Sequence, residues 1–198
     1  MTYIIIISII SGAITGYFFL PESIALHLDA ISSISLYVLI FLVGIDVASN
    51  KSLIKDLKKL GFKIVLIPMS IIFGSLIGGY FTSLILKLPI NTGLAIASGF
   101  GWYSLSGVLL TNLCNAEVGT IAFLTNVFRE LIAVITIPIL ATKLNFFTAI
   151  APAGATSMDT TLPLISNSTN SEIAVISFIN GAILSTLVPI LVTFFFTI

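Results

Sequence analysis

The chain has 198 residues with zero formal net charge, 58% of them hydrophobic and 8% charged, and a mean hydropathy of +1.20. A soluble domain carries about 25% charged residues, so the composition excludes an ordinary soluble globule and indicates an integral membrane protein. No basic run interleaves with aromatics, which argues against nucleic acid as a partner. The long, continuous apolar runs fit helices and not the alternating segments of a barrel.

Taken in order, apolar runs predict about seven spans, near residues 3–20, 31–48, 64–86, 92–113, 117–140, 147–166 and 173–197. Each is close to the ~20 residues that cross a bilayer. The fold class is all-α, with residues 1–198 read as a single transmembrane transporter domain. The N-terminal MTYIIIISII lacks a basic region and the following SGAITG is a weak cleavage signal, so the first span is read as retained. Five of the seven lysines (Lys51, Lys55, Lys58, Lys59 and Lys63) fall between the second and third spans. That places the loop in the cytoplasm, the N-terminus inside and the C-terminus outside.

The fourth and sixth spans are irregular. The fourth contains GFGWYSLSG (Gly99 to Gly107), and the sixth contains PAGATSMDTTLP (Pro152 to Pro163). Proline and glycine free backbone groups that lipid cannot satisfy, so each break must be buried in protein or line a wet cavity. Both segments are expected to be interrupted helices or re-entrant pairs. Transporters place substrate and ion sites at such breaks, where freed carbonyls attract cations and half-helix N-termini attract anions.

Asp159 lies inside the second break, with no other charge between Lys143 and Glu172. A carboxylate at mid-membrane costs at least about 2.5 kcal/mol and ordinarily faces a partner, a cavity or a transport path. In the fifth span Asn126 and Glu130 share a helix face, whereas Arg129 points about 100° away. Asp46 follows FLVGI near the predicted cytoplasmic boundary of the second span. Trp102, Tyr103, Ser104, Ser106, Thr156 and Ser157 are the remaining candidates to line a substrate cavity. The competing arrangement is an internal ion pair, Arg129 with Asp159 or with Asp46, in a non-transporting subunit whose charges serve assembly.

An enzyme is not expected. The only histidine, His27, sits in a loop, so no span offers a base to activate Ser106. Asp46 and Asp159 lack the GxGD pattern of intramembrane aspartyl proteases. Cys114 is the single cysteine and has no neighbouring Cys or His, so no disulfide, metal or cofactor is expected.

Six strings, FLVGI (Phe41 to Ile45), LPINT (Leu88 to Thr92), ASGFGWYSLSG (Ala97 to Gly107), RELIA (Arg129 to Ala133), GATSMD (Gly154 to Asp159) and LVPI (Leu187 to Ile190), follow one another along the chain. In this order they resemble the lysine exporter family of the LysO type. The resemblance implies export of L-lysine and of toxic lysine analogues across the cytoplasmic membrane of a prokaryote, with an essential acid at Asp159. It also implies a distant kinship with crossed-helix antiporters.

Full-length members of the family carry further N-terminal spans. The resemblance therefore implies a split form completed by a small membrane protein, or by a second copy of the chain.

Lysine leaves as a cation against an inside-negative potential, and no phosphate-binding loop is present to use ATP. The expected driver is an incoming proton carried by Asp159, with Glu130 as relay and Arg129 as partner of the substrate carboxylate. Sodium is the alternative coupling ion.

Overall fold

The computed structural model describes residues 63–198 continuously, with Gly61 and scattered positions between 7 and 45. The first two predicted spans, Asp46 and the lysine-rich loop lie outside the described residues, apart from those scattered positions, Gly61 and the helical backbone of Lys63.

Among the described residues the structure is all-helical. It contains α1 (Lys63–Leu86), α2 (Ile90–Ala97), α3 (Tyr103–Leu113), α4 (Ala116–Lys143), α5 (Leu162–Ser168) and α6 (Ser171–Thr197), with short 3-10 stretches at Thr148–Ile150 and Gly154–Met158. Three helices are long and apolar enough to cross a membrane: Ile64–Leu86 within α1, α4 and α6. The chain is a multi-pass membrane protein.

The long helices are well started. Asn115 caps α4 by accepting from Val118 N at 2.9 Å, and Asn170 caps α6 by accepting from Ile173 N at 2.9 Å. Glu117 and Glu172 occupy the first turns, where the helix dipole favours an anion. Each long helix contains one proline, Pro68, Pro138 or Pro189. A proline removes one ladder bond, which a membrane helix tolerates when neighbouring groups take over the freed carbonyl.

The directions of the helices follow from what they touch. Ile64 and Ile67, at the start of α1, pack against a core of Ala133, Ile137 and Ala141 from the end of α4. Ser75, halfway along α1, meets Arg129, halfway along α4. These two helices therefore run antiparallel. Ile173 and Ile176, from the start of α6, join the core at the end of α4. Near the other end of α6, the Phe196 carbonyl accepts from Asn91 at the start of α2. Thus α6 runs opposite to α4.

The irregular segments fill the two halves of this frame without crossing it. Ala95 and Ile96, before the first break, share a core with Leu110, after it, and with Val188 and Val192 of α6. Ile150, before the second break, shares the opposite core with Ile165, after it. A segment crossing the membrane would divide its two halves between the cores. Both segments instead dip in and return on the side they came from, from opposite faces. Of the two arrangements open to the sequence, interrupted or re-entrant, the re-entrant one is present in both.

The two tips meet. Phe100 and Gly101 adopt positive φ of 45° and 101°, and Gly154 adopts 62°, a region that costs a bulky residue strain unless its surroundings hold it. The fully buried Phe100 is held because its carbonyl accepts from Ala155 N at 2.8 Å, joining one tip to the other. Gly154 is pressed against that same carbonyl, and a Cβ on Gly101 would sit 3.2 Å from the Ala153 oxygen. On the far side α6 offers Gly181, where a Cβ would meet Met158 N at 2.5 Å.

Re-entry makes labelling predictions. In a Cys114→Ser background, cysteines placed at Leu88 and at Asn115 should react with an impermeant maleimide from one side of the membrane, and cysteines at Asn145 and Ser168 only from the other. Two crossing segments would split each pair between the sides. Gly154→Ala should cost about 2–4 kcal/mol of stability, since it adds backbone strain to overpacking, and thermal unfolding in detergent measures it.

Candidate functional site

The tips carry most of the candidate residues, and they divide into braces and free polar groups. Asn126 is a brace. Its Oδ1 accepts from Gly101 N at 2.7 Å, while Nδ2 donates to the Ala122 carbonyl at 2.9 Å and to Ser106 Oγ at 3.2 Å. Gly99 lies directly on this amide, where a Cβ would collide with Nδ2, so the close approach requires glycine. Ser106, fully buried, passes its own proton to the Trp102 carbonyl at 2.9 Å. Together these bonds take up the donors and acceptors that the first break frees.

The second break has its own brace, on α6. Asn180 Nδ2 donates to the Gly154 carbonyl at 3.1 Å and to Ser157 Oγ at 3.0 Å. Ser157 and Ser177 are bonded reciprocally, each hydroxyl donating to the other's carbonyl at 2.8 and 2.9 Å. Thr156 Oγ1 donates to the Ala153 carbonyl, and Thr161 donates to the Thr156 carbonyl. Among the described residues one atom is left over: Asn180 Oδ1 is buried without a hydrogen-bond partner. An unmet acceptor of this kind costs on the order of 1–3 kcal/mol.

Asp159 terminates the second tip. Its Oδ1 accepts from Thr160 N at 2.6 Å. Thr160 Oγ1 lies 3.5 Å from the same carboxylate oxygen, and Glu130 on α4 is within electrostatic reach of Thr160 and Asp159. The Tyr103 phenol lies within the field of both carboxylates, and its ring stands edge-on to Phe123 at 5.4 Å. Thus two acids from different elements, one phenol and one hydroxyl gather at the tips, all partly exposed except Thr160, which is exposed.

Arg129 faces elsewhere, as the helix spacing requires. Its Nη1 donates to Ser75 Oγ at 2.8 Å, Nε to the Pro152 carbonyl at 3.2 Å, and Nη2 to the Ala151 carbonyl at 3.4 Å. All three partners are neutral oxygens, and no ion pair with Asp159 or Glu130 forms among the described residues. Beside the guanidinium lies a cavity of about 310 Å³ between α1, α2 and α4, lined among others by Ser75, Thr82, Ser83, Thr125, Asn126 and Arg129.

The other candidates are more peripheral. Trp102 is exposed at the start of α3, and Ser104 lines a separate shallow recess with Gly107, Thr111 and Phe123. Asp46 lies outside the described residues.

Sequence reasoning missed Asn180, Ser177 and Ser75. A repeat could have found the first two. Gly99, Asn115, Glu117, Ile121 and Phe123 recur at one constant offset as Gly154, Asn170, Glu172, Ile176 and Phe178, and Asn126 recurs as Asn180 one residue out of that register. Each unit is a re-entrant segment followed by a capped long helix whose asparagine holds the tip. Because α4 and α6 run in opposite directions, the two units form an inverted repeat.

Comparison with known proteins bears on the same stretch. The lysine exporter LysO of Escherichia coli K12 is 43% identical over 169 residues, covering 85% of this chain and 56% of that protein. A Haemophilus influenzae protein provisionally named a lysine exporter is 41% identical over 164 residues, covering 81% of each. The chain thus spans a little over half the length of the E. coli relative. No solved structure matches. Residues 6–196 match the family described as Lysine exporter LysO, and the chain belongs to that family.

Proposed function

We propose that the chain exports L-lysine and lysine analogues across the cytoplasmic membrane of a prokaryote by exchange with an incoming proton. The names of both relatives supply the substrate. The observation that carries the mechanism is the gathering of Asp159 and Glu130 beside Tyr103, with the half-buried arginine turned away to neutral oxygens. An assembly network would be expected to neutralise acid with arginine; these acids are left available for a partner that comes and goes.

Lysine leaving the cell works against about 2.3 kcal/mol per 100 mV of inside-negative potential. One-for-one exchange with a proton cancels that electrical cost. In this reading the pair of carboxylates holds either a proton or the substrate ammonium, never both. Arg129, with its cavity, receives the substrate carboxylate, and α4 carries both binding elements on adjacent residues.

The lysine-rich loop before α1 sits in the cytoplasm. The first tip then dips from outside and the second from the cytoplasm, with the N-terminus inside and the C-terminus outside. Further membrane segments, from another chain or a second copy, complete the transport unit.

Asp159→Asn should abolish lysine-driven proton movement in proteoliposomes. Full coupled exchange in that variant would overturn the assignment. Varying sodium at fixed pH tests the coupling ion. Arg129→Lys should raise the half-saturating lysine concentration roughly 10- to 100-fold, as expected for losing one or two charge-assisted bonds. Competition by cadaverine, which is lysine without its carboxylate, should stay unchanged in that variant.

A further inference from the structure

Asn126 and Asn180 occupy matching places in the two repeat units, yet their side-chain oxygens fare differently. In the first tip Gly101 N donates to Asn126 Oδ1. Thr156, which matches Gly101 at the repeat offset, turns its N–H to the Ala153 carbonyl instead. Among the described residues Asn180 Oδ1 therefore has no donor, although the residue is fully buried.

Exchanging the amide's oxygen and nitrogen does not help, because the nitrogen already donates to the Gly154 carbonyl and Ser157 Oγ. The surroundings are rich in oxygen, with Ser157 and Ser177 each contributing a hydroxyl and a carbonyl, all in fully buried residues. Buried neutral oxygens without a spare donor suit a hard cation stripped of water. Unwound backbone in transporters is where such ions are held.

We propose that the second re-entrant tip binds a sodium ion, with Asn180 Oδ1 as one of its ligands. The site is separate from the carboxylate pair, which carries substrate or proton. It lies between the same tip and α6, and the proposal rests on the transport reading only for its purpose. An ion entering with the proton would add inward charge, so that membrane potential itself would drive lysine out.

The test is thermal unfolding of the purified full chain in sodium, potassium or choline chloride at constant pH and ionic strength, with and without lysine. The wild type should show a sodium-specific, saturating rise in Tm. Asn180→Ala should lose that rise and keep the shift produced by lysine. Because this variant also loses two bonds that hold the tip, Asn180→Asp is measured beside it; its extra charge should lower the half-saturating sodium concentration about 10-fold. If neither variant folds, the wild-type ion series decides alone.

A wild type indifferent to the choice of cation means that the oxygen holds only a structural water, and overturns the proposal. So does an alanine variant with wild-type sodium response. Loss of the lysine shift with the sodium response intact would count against the transport reading and leave the ion site standing.

Discussion

The hydrogen bond from Ala155 N to the Phe100 carbonyl is where the two halves of the molecule meet. Backbone groups at membrane depth cannot be left to lipid, which is why membrane-spanning chains are helices or closed barrels. Here two breaks occur at the same depth, and each supplies part of what the other lacks. The remainder comes from Asn126 and Asn180, placed on long helices that start from well-formed asparagine caps. Close contact then dictates glycine at Gly99, Gly154 and Gly181, where even a methyl group would meet an amide or a carbonyl. The glycines permit the junction, and the asparagines make it affordable.

This junction also sorts the charges. Adjacent residues on a helix point about 100° apart, so Arg129 and Glu130 cannot serve the same pocket face. Glu130 turns to Thr160 and Asp159, and Arg129 turns to Ser75 and the carbonyls of Ala151 and Pro152. The proposed substrate, a zwitterion with a cationic tail, would need this separation, because a site that paired the arginine with the acids would have nothing left to bind it. Neutral oxygens hold the guanidinium in place without cancelling its charge.

The breaks were legible in the sequence because glycine, proline and a lone aspartate inside apolar runs have few structural reasons to be there. Their re-entrant course was not. A run of about twenty apolar residues fits one full crossing or two half-depth dips equally well, and the cores shared by Ile96 with Leu110 and by Ile150 with Ile165 separate the cases. The hydroxyls around the tips looked like ligands from their types, but Ser106, Thr156 and Ser157 are occupied by backbone carbonyls. Asn180 stood in a span that reads as plain hydrophobic helix, and only its repeat relation to Asn126 marks it out.

An inverted repeat with identical halves would present the same site to both sides. These halves are not identical: Asp159 matches Ser104 at the repeat offset, and Thr156 matches Gly101. The acidic group belongs to the second tip alone, and so does the unpaired amide oxygen. The first tip, with its bonds closed by Asn126, is the more fully satisfied of the two. The second holds, among the described residues, a buried amide oxygen without a hydrogen-bond donor and a half-exposed carboxylate. In the proposed exporter, movement of one unit against the other would carry the acidic tip past its counterpart, so that the asymmetry within the repeat would give transport its chemistry while the symmetry would give it two faces to open.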